Sequence, residues 1–166
     1  MFRTPRTVVM ALAAALLAGC ATPDRVRPGE TEAQLVARYG RPDAVHPLSG
    51  GGRRLEYTIG PYQQHTWMVD LDAEGRALGT RQVRTLANFM KLRNGVDTAD
   101  HVRREFGTPW RVETYRLSGL TALLYPHLEA GYFGALAAVH VDRDGIVRFV
   151  QNGPDPRFMG GGDRRN

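Results

Sequence analysis

The sequence predicts an α+β fold: two tandem two-layer repeats, each a helical layer packed on an antiparallel β-sheet. Two observations carry this. The chain matches itself at an offset that drifts from 67 to 70 residues, too long for a solenoid and suited to a duplicated small domain. Within each copy the apolar spacing changes from helical to alternating. Thr31-Glu-Ala-Gln-Leu-Val-Ala-Arg-Tyr-Gly40-Arg-Pro42 matches Thr98-Ala-Asp-His-Val-Arg-Arg-Glu-Phe-Gly107-Thr-Pro109. Farther on, Leu55-Glu-Tyr57 falls opposite Leu123-Leu-Tyr125, and Val69-Asp-Leu-Asp-Ala-Glu-Gly75 opposite Val139-His-Val-Asp-Arg-Asp-Gly145.

Taken in chain order, residues 1–19 read as a signal peptide. Arg3 and Arg6 precede an apolar run from Val8 to Leu17, about half the ~20 residues a bilayer-spanning helix needs, so the segment is cleaved rather than spanning. The following Leu17-Ala18-Gly19-Cys20 resembles the lipobox of bacterial lipoproteins. That resemblance implies that Cys20, the sole cysteine, is the acylated first residue. It also implies an outer-membrane location on the periplasmic face, because Ala21 stands where an inner-membrane retention aspartate would be. Residues 20–28, with Pro23 and Pro28, are expected to be an extended lipidated tether.

The first repeat spans 29–86. Thr31 is its helix N-cap and Gln34 completes a capping box. Leu35 and Tyr39 share a helix face, and Gly40 with Pro42 ends the helix. Strands are expected near 43–47, 53–60, 65–72 and 77–84, where Trp67, Val69 and Leu71 alternate with Met68, Asp70 and Asp72. Residues 86–92 lead into the second repeat, 87–152, as a short helix. Val102 and Phe106 then repeat the helix face, and strands follow near 110–117, 120–126, 134–142 and 146–151. Asp72-Ala-Glu-Gly75 and Asp142-Arg-Asp-Gly145 read as hairpin turns with glycine at a positive φ. Leu35, Tyr39, Trp67, Val69, Val102, Phe106, Val139 and Val141 are expected in the core. Residues 153–166, ending in Gly160-Gly161-Gly162 and Arg164-Arg165, read as a disordered tail.

Helix, Gly-x-Pro, a strand ending near a tyrosine and a hydrophobic-Asp-x-x-Gly turn, present once per repeat, resemble the SmpA/OmlA (BamE-type) family of outer-membrane lipoproteins. The resemblance implies the helical layer on each sheet and a role in outer-membrane protein assembly, with the barrel-assembly machinery as partner. Two copies in tandem resemble the architecture of β-lactamase inhibitor proteins, which implies a joined, curved sheet. The chain departs from both patterns. The lipoprotein family usually has one such domain, and the inhibitors carry disulfides and no lipid.

Composition narrows the function classes. Removing residues 1–19 lowers the formal net charge from +5 to +3, with both signs interspersed and no basic stripe, which argues against a nucleic-acid partner. With its one cysteine acylated, the domain has no disulfide and relies on apolar burial. Asp70-x-Asp72-x-Glu74-Gly75 opens like a calcium loop, but Arg81 stands where the bidentate glutamate belongs. His46, His65, His101, His127 and His140 lack metal-ligand spacing. Ser49 and Ser118 sit beside glycines in turns, with no nucleophile elbow. Gly50-Gly51-Gly52 lacks the lysine of a phosphate loop. The sequence therefore implies no enzyme, no metal and no cofactor.

The loops between the second and third strands carry aromatics where polar residues are expected. Tyr62, Tyr132 and Phe133 are candidate partner-binding anchors; the competing reading has them folding back to cap the core. The leading functional expectation is a non-catalytic outer-membrane lipoprotein, a scaffold or accessory factor in outer-membrane protein assembly or envelope maintenance. The alternative is a periplasmic protein-binding or inhibitory module.

Overall fold

The computed structural model describes residues 22–159, and sheet dominates them. Two four-stranded antiparallel meanders follow one another. The first is β1 (Ala44–Pro47), β2 (Arg53–Ile59), β3 (His65–Leu71) and β4 (Ala77–Gln82). The second is β5 (Arg111–Tyr115), β6 (Leu120–Glu129), β7 (Phe133–Val141) and β8 (Val147–Pro154). Three short helices accompany them: α1 (Glu32–Tyr39), α2 (Leu86–Phe89) and α3 (Ala99–Phe106).

The helices begin and end for local reasons. The Thr31 backbone N–H donates to Gln34 Oε1 at 2.8 Å, and the Thr31 hydroxyl accepts from the Gln34 N–H, so the capping box is closed. The Thr98 hydroxyl caps α3 through the His101 N–H at 3.1 Å. Both helices stop at glycine, Gly40 at φ 85° and ψ −174° and Gly107 at φ 82° and ψ −165°, a region side-chain-bearing residues avoid. A tyrosine then seals each end: the Tyr57 hydroxyl donates to the Gly40 carbonyl at 3.3 Å and the Tyr125 hydroxyl to the Gly107 carbonyl at 3.2 Å.

The expected helical layer on each sheet is corrected by the structure. The glycine stops limit α1 and α3 to two turns each, and α1 buries only Leu35, while α3 buries Val102 and Phe106. So few side chains do not cover a four-stranded sheet, and the architecture is two antiparallel sheets with few helices. Nor does each helix belong to one sheet. Leu35 packs on one face of the first sheet with Leu55, Tyr57, Val69 and Leu71. Phe106, Val102 and Phe89 of α2 lie between the two sheets, touching a core that joins Met68 and Val83 to Leu123, Tyr125, Ala137 and Val139.

Of the expected core residues, Tyr39 and Trp67 are only partly buried; the other six are buried. Two further expectations change. Residues 22–28 are no extended tether: Pro23–Arg25 form a 3-10 turn, Pro23 is buried, and Val26 joins the first core. The Gly29 N–H then donates to the Ala77 carbonyl at 2.8 Å. Residues 153–159 are no disordered tail either. β8 runs through Pro154, and Pro156–Phe158 form a 3-10 turn capped by Asp155. Cys20 and residues 160–166 lie outside the described residues.

A polar junction holds α3 against the first sheet. Arg54 of β2 bonds Asp70 on β3, Glu105 of α3 at 2.8 Å and the Arg104 carbonyl at 2.9 Å. Arg81 of β4 closes the ring through Asp70 at 3.0 Å and Glu105 at 3.2 Å. Burial alone would raise the carboxyl pKa of Asp70 and Glu105, but the hydrogen bonds and charge of Arg54, helped by Arg81, hold both below the usual carboxylate range. Glu56 accepts from the Thr108 N–H at 2.8 Å and from His46 at 2.9 Å. Arg84 is fully buried and gives its guanidinium protons to the carbonyls of Phe106, Thr108 and Gln63. Burial without a directly bonded carboxylate lowers its pKa, with Glu56 partly offsetting the effect.

Candidate functional site

Alternation gives every strand of the second sheet an inner and an outer row. Leu123, Tyr125, Ala137 and Val139 point inward to the shared core. The outer row reads, across the sheet, Arg111, Leu124, Ala138 and Gln151, then Glu113, Ala122, His140 and Phe149. A groove of about 500 Å³ runs over this face, lined only by strand residues, Trp110 and the turn at 153–157.

The corresponding positions of the first sheet are Arg54, Glu56, Met68 and Asp70, the face that receives α3. In the second sheet the same positions hold Ala122, Leu124, Ala138 and His140. One copy is charged and covered by a helix; the other is mostly apolar and lined by no α-helix. An apolar floor with a polar rim of Arg111, Glu113 and Gln151 is the composition of a binding surface.

Histidine 140 is the odd member of that floor. Its ring stacks on Phe149 at 4.2 Å and lies 5.9 Å from Tyr115. It is buried, and neither ring nitrogen has a hydrogen-bond partner. Burial pushes its pKa down, against a smaller opposing influence of Gln151, so the neutral ring sits as a flat, nearly apolar plate between two aromatics. On the inner side, His127 lies 5.6 Å from Phe89, also without a partner and also lowered by burial.

The end of the groove is built by residues expected to be disordered. Asp155 is fully buried and accepts from Arg157 through both the backbone N–H and Nε at 3.0 Å. Burial would raise its pKa, but these bonds hold the carboxylate below the usual range. The Arg157 guanidinium stacks 4.2 Å from the Trp110 ring and donates to the Tyr62 carbonyl at 3.2 Å. Pro154-Asp155-Pro156 was the available signal, since flanking prolines mark a rigid turn.

The sequence-derived anchors lie elsewhere. Tyr62 is in the β2–β3 loop, Tyr132 precedes β7 and Phe133 begins it; all three are exposed and do not cap the core. Tyr62 meets Phe158 edge-on at 4.6 Å, and Tyr132 lies 4.3 Å from Phe133. None of them lines the groove on the outer sheet face. Among the described residues, no cluster of three histidine, cysteine or acidic side chains is placed to hold a metal.

No family model matches the chain, and no curated protein matches it. Among solved structures, the chain is similar to a DUF4309 family protein from Bacillus subtilis at 16% identity and a TM-score of 0.32, covering 76% of this chain and 79% of that one. It is also similar to a cysteine-rich secretory protein from Staphylococcus aureus at 13% identity and a TM-score of 0.27, covering 82% of this chain and half of that one.

Proposed function

We propose that this protein is a lipid-anchored, non-catalytic binding module of the bacterial outer membrane, holding a protein partner on the outer face of its second sheet as a scaffold in outer-membrane protein assembly. The observation that supports the binding face is the contrast between equivalent positions: the first sheet dresses this face with Arg54, Glu56 and Asp70 to receive α3, whereas the second holds Ala122, Leu124 and His140 there and lines its groove with no α-helix. Ala122, Leu124 and His140 are already buried, so a partner removes apolar surface from water chiefly at half-buried Leu136 and Ala138 and exposed Tyr115, at roughly 25 cal/mol for each Å². The lipobox-like Leu17-Ala18-Gly19-Cys20 supports the anchor. No helix among the described residues is long and apolar enough to cross a membrane, so attachment in this reading falls to the lipid.

Cross-linking followed by affinity purification of the acylated protein from membranes tests the function, with Ala138→Arg as the control. Recovery of barrel-assembly components, lost in the variant while its melting temperature is kept, supports the scaffold. Recovery of one soluble periplasmic enzyme, lost in the same variant, replaces it with an inhibitory module. Equal recovery with both proteins refutes the sheet face as the binding surface.

A further inference from the structure

We infer that the end of the molecule bearing the β2–β3 and β6–β7 loops seats in the headgroup region of the lipid bilayer, with Tyr62, Tyr132, Phe133, Phe158 and Met159 as the inserting side chains. The inference rests on acylation of Cys20.

The first ground is where the chain leaves the folded domain. Thr22 lines one hollow with Tyr57, Ile59 and Gly60, at the root of the β2–β3 loop. From there the chain is tied down at once by buried Pro23, by Val26 in the core and by the Gly29 bond to Ala77. Cys20 stands two residues before Thr22, a reach of at most about 7 Å of extended chain. The anchor therefore has no slack: the acyl chains enter the membrane beside this end, which is held at the headgroups.

The second ground is what that end exposes. Tyr62 is 43% exposed, Tyr132 70%, Phe133 61%, Phe158 46% and Met159 65%. They are connected: Tyr62 packs on Phe158, whose ring lies over Gly134, and Phe158, Met159 and Phe133 line one shallow depression, with Tyr132 against Phe133. Arg157 bonds the Tyr62 carbonyl, fixing the turn at 156–158 to the first-repeat loop. Leu117, the most exposed large apolar side chain among the described residues, is in the β5–β6 loop, at the other end of the second meander. Tyrosine and phenylalanine with a flanking arginine are side chains that partition into the membrane interface, where a ring is buried and a polar tip stays wet.

The third ground is the backbone. Among the described residues only two other than glycine have a positive φ, Gln63 at 56° and Ala130 at 51°. Each sits in one of these two loops, next to or two residues from a projecting tyrosine. Left-handed alanine and glutamine carry a conformational cost that surrounding structure must offset. Both loops accept it in turns that hold an aromatic ring outward. The protein-binding groove on the second sheet includes none of the five side chains, so the same molecule sits on lipid and presents that face sideways.

The test is depth-dependent quenching. Acylated protein processed to begin at Cys20 is reconstituted in dioleoylphosphatidylcholine vesicles, zwitterionic so that apolar insertion is read rather than charge, and compared with vesicles of the brominated lipid. Phe133→Trp is the reporter, Leu117→Trp the control, and the parent protein supplies the background of Trp67 and Trp110. Quenching of the Phe133→Trp emission by at least about twofold more than Leu117→Trp is expected for a ring buried roughly 5–10 Å. Equal or absent quenching at the two positions, in protein whose acyl mass is confirmed and which sediments with the vesicles, overturns the seating and leaves the lipid anchor standing. Unmodified Cys20 by mass, with no vesicle association, overturns the anchor and the seating together.

Discussion

The two repeats end their helices alike, Tyr39-Gly40-Arg41-Pro42 and Phe106-Gly107-Thr108-Pro109, yet the first end lies at the surface and the second is clamped between two sheets. A Cβ on Gly40 would meet nothing within 4 Å; one on Gly107 would lie 2.5 Å from Glu56 Oε1. Tyr39 is partly buried against Tyr57, whereas Phe106 is buried and stacks on Phe89 at 4.4 Å. The same local motif thus serves two purposes. Its hydrogen bonds close a helix in both places, and only in the second does the closed helix become the joint of the molecule. The difference is written at equivalent positions of the two sheets: Glu56 faces the joint and accepts from the Thr108 N–H, whereas its counterpart Leu124 lies on the outer face of the second sheet.

The sharpest way to break the equivalence is at the aromatic. Phe106→Ala should cost about 3–5 kcal/mol of unfolding free energy, as other buried phenylalanines do. Tyr39→Ala, with a ring already half in water, should cost about half as much or less; urea unfolding of both variants reads the gap. Equal losses would mean that α3 is no more central than α1.

The glycines come next. Gly40→Ala should cost about 1–3 kcal/mol for a backbone conformation that alanine resists. Gly107→Ala should cost that and a further increment of about 1 kcal/mol or more for displacing the Glu56 carboxylate. The increment should shrink when Glu56→Ala is combined with it, and a double-mutant cycle measures this coupling directly.

Acid should act on the second sheet and on the joint between the sheets in different ranges. His127 and His140 are held neutral by burial, below their ordinary pKa of 6.5. The unfolded chain therefore takes up protons first, so stability is full above pH 6.5 and falls as the pH drops below it. His140→Phe should flatten that limb in melts between pH 7 and pH 5. Asp70 and Glu105 have folded pKa values below their ordinary 3.8 and 4.5. Their contribution is present above those values and is lost as the pH falls through the lower, folded ones. Asp70→Asn should remove part of the loss seen below about pH 4 and leave the histidine limb intact.

The smallest stability effect belongs to the groove rim. Gln151→Arg and Arg111→Glu, at exposed positions, should shift unfolding free energy by only about 0.5 kcal/mol. If the second sheet is the binding face, partner recovery should nevertheless fall. Unchanged recovery in both would move the binding face away from the groove.

Sequence by itself determined the local elements, because their causes are local. A capping box at Thr31, glycine stops at 40 and 107, period-two alternation and Asp-x-x-Gly turns each depend on neighbours a few residues away. Strands accordingly fall within a few residues of the expected ranges. Tertiary structure decided which face of each sheet is covered. Alternation says that Leu55 and Glu56 point apart, but not that α3, fifty residues on, will bring Glu105 and the Thr108 N–H to the charged side. Likewise a two-turn helix is legible from its caps, whereas its failure to form a layer depends on how much sheet it must cover. The residues after Gly153 looked polar and glycine-rich, and their order comes from the Asp155–Arg157 pair finding Trp110 and Tyr62, contacts that span up to 95 residues. Patterns of period two or 3.6 specify a surface; only the packed chain specifies what lies against it.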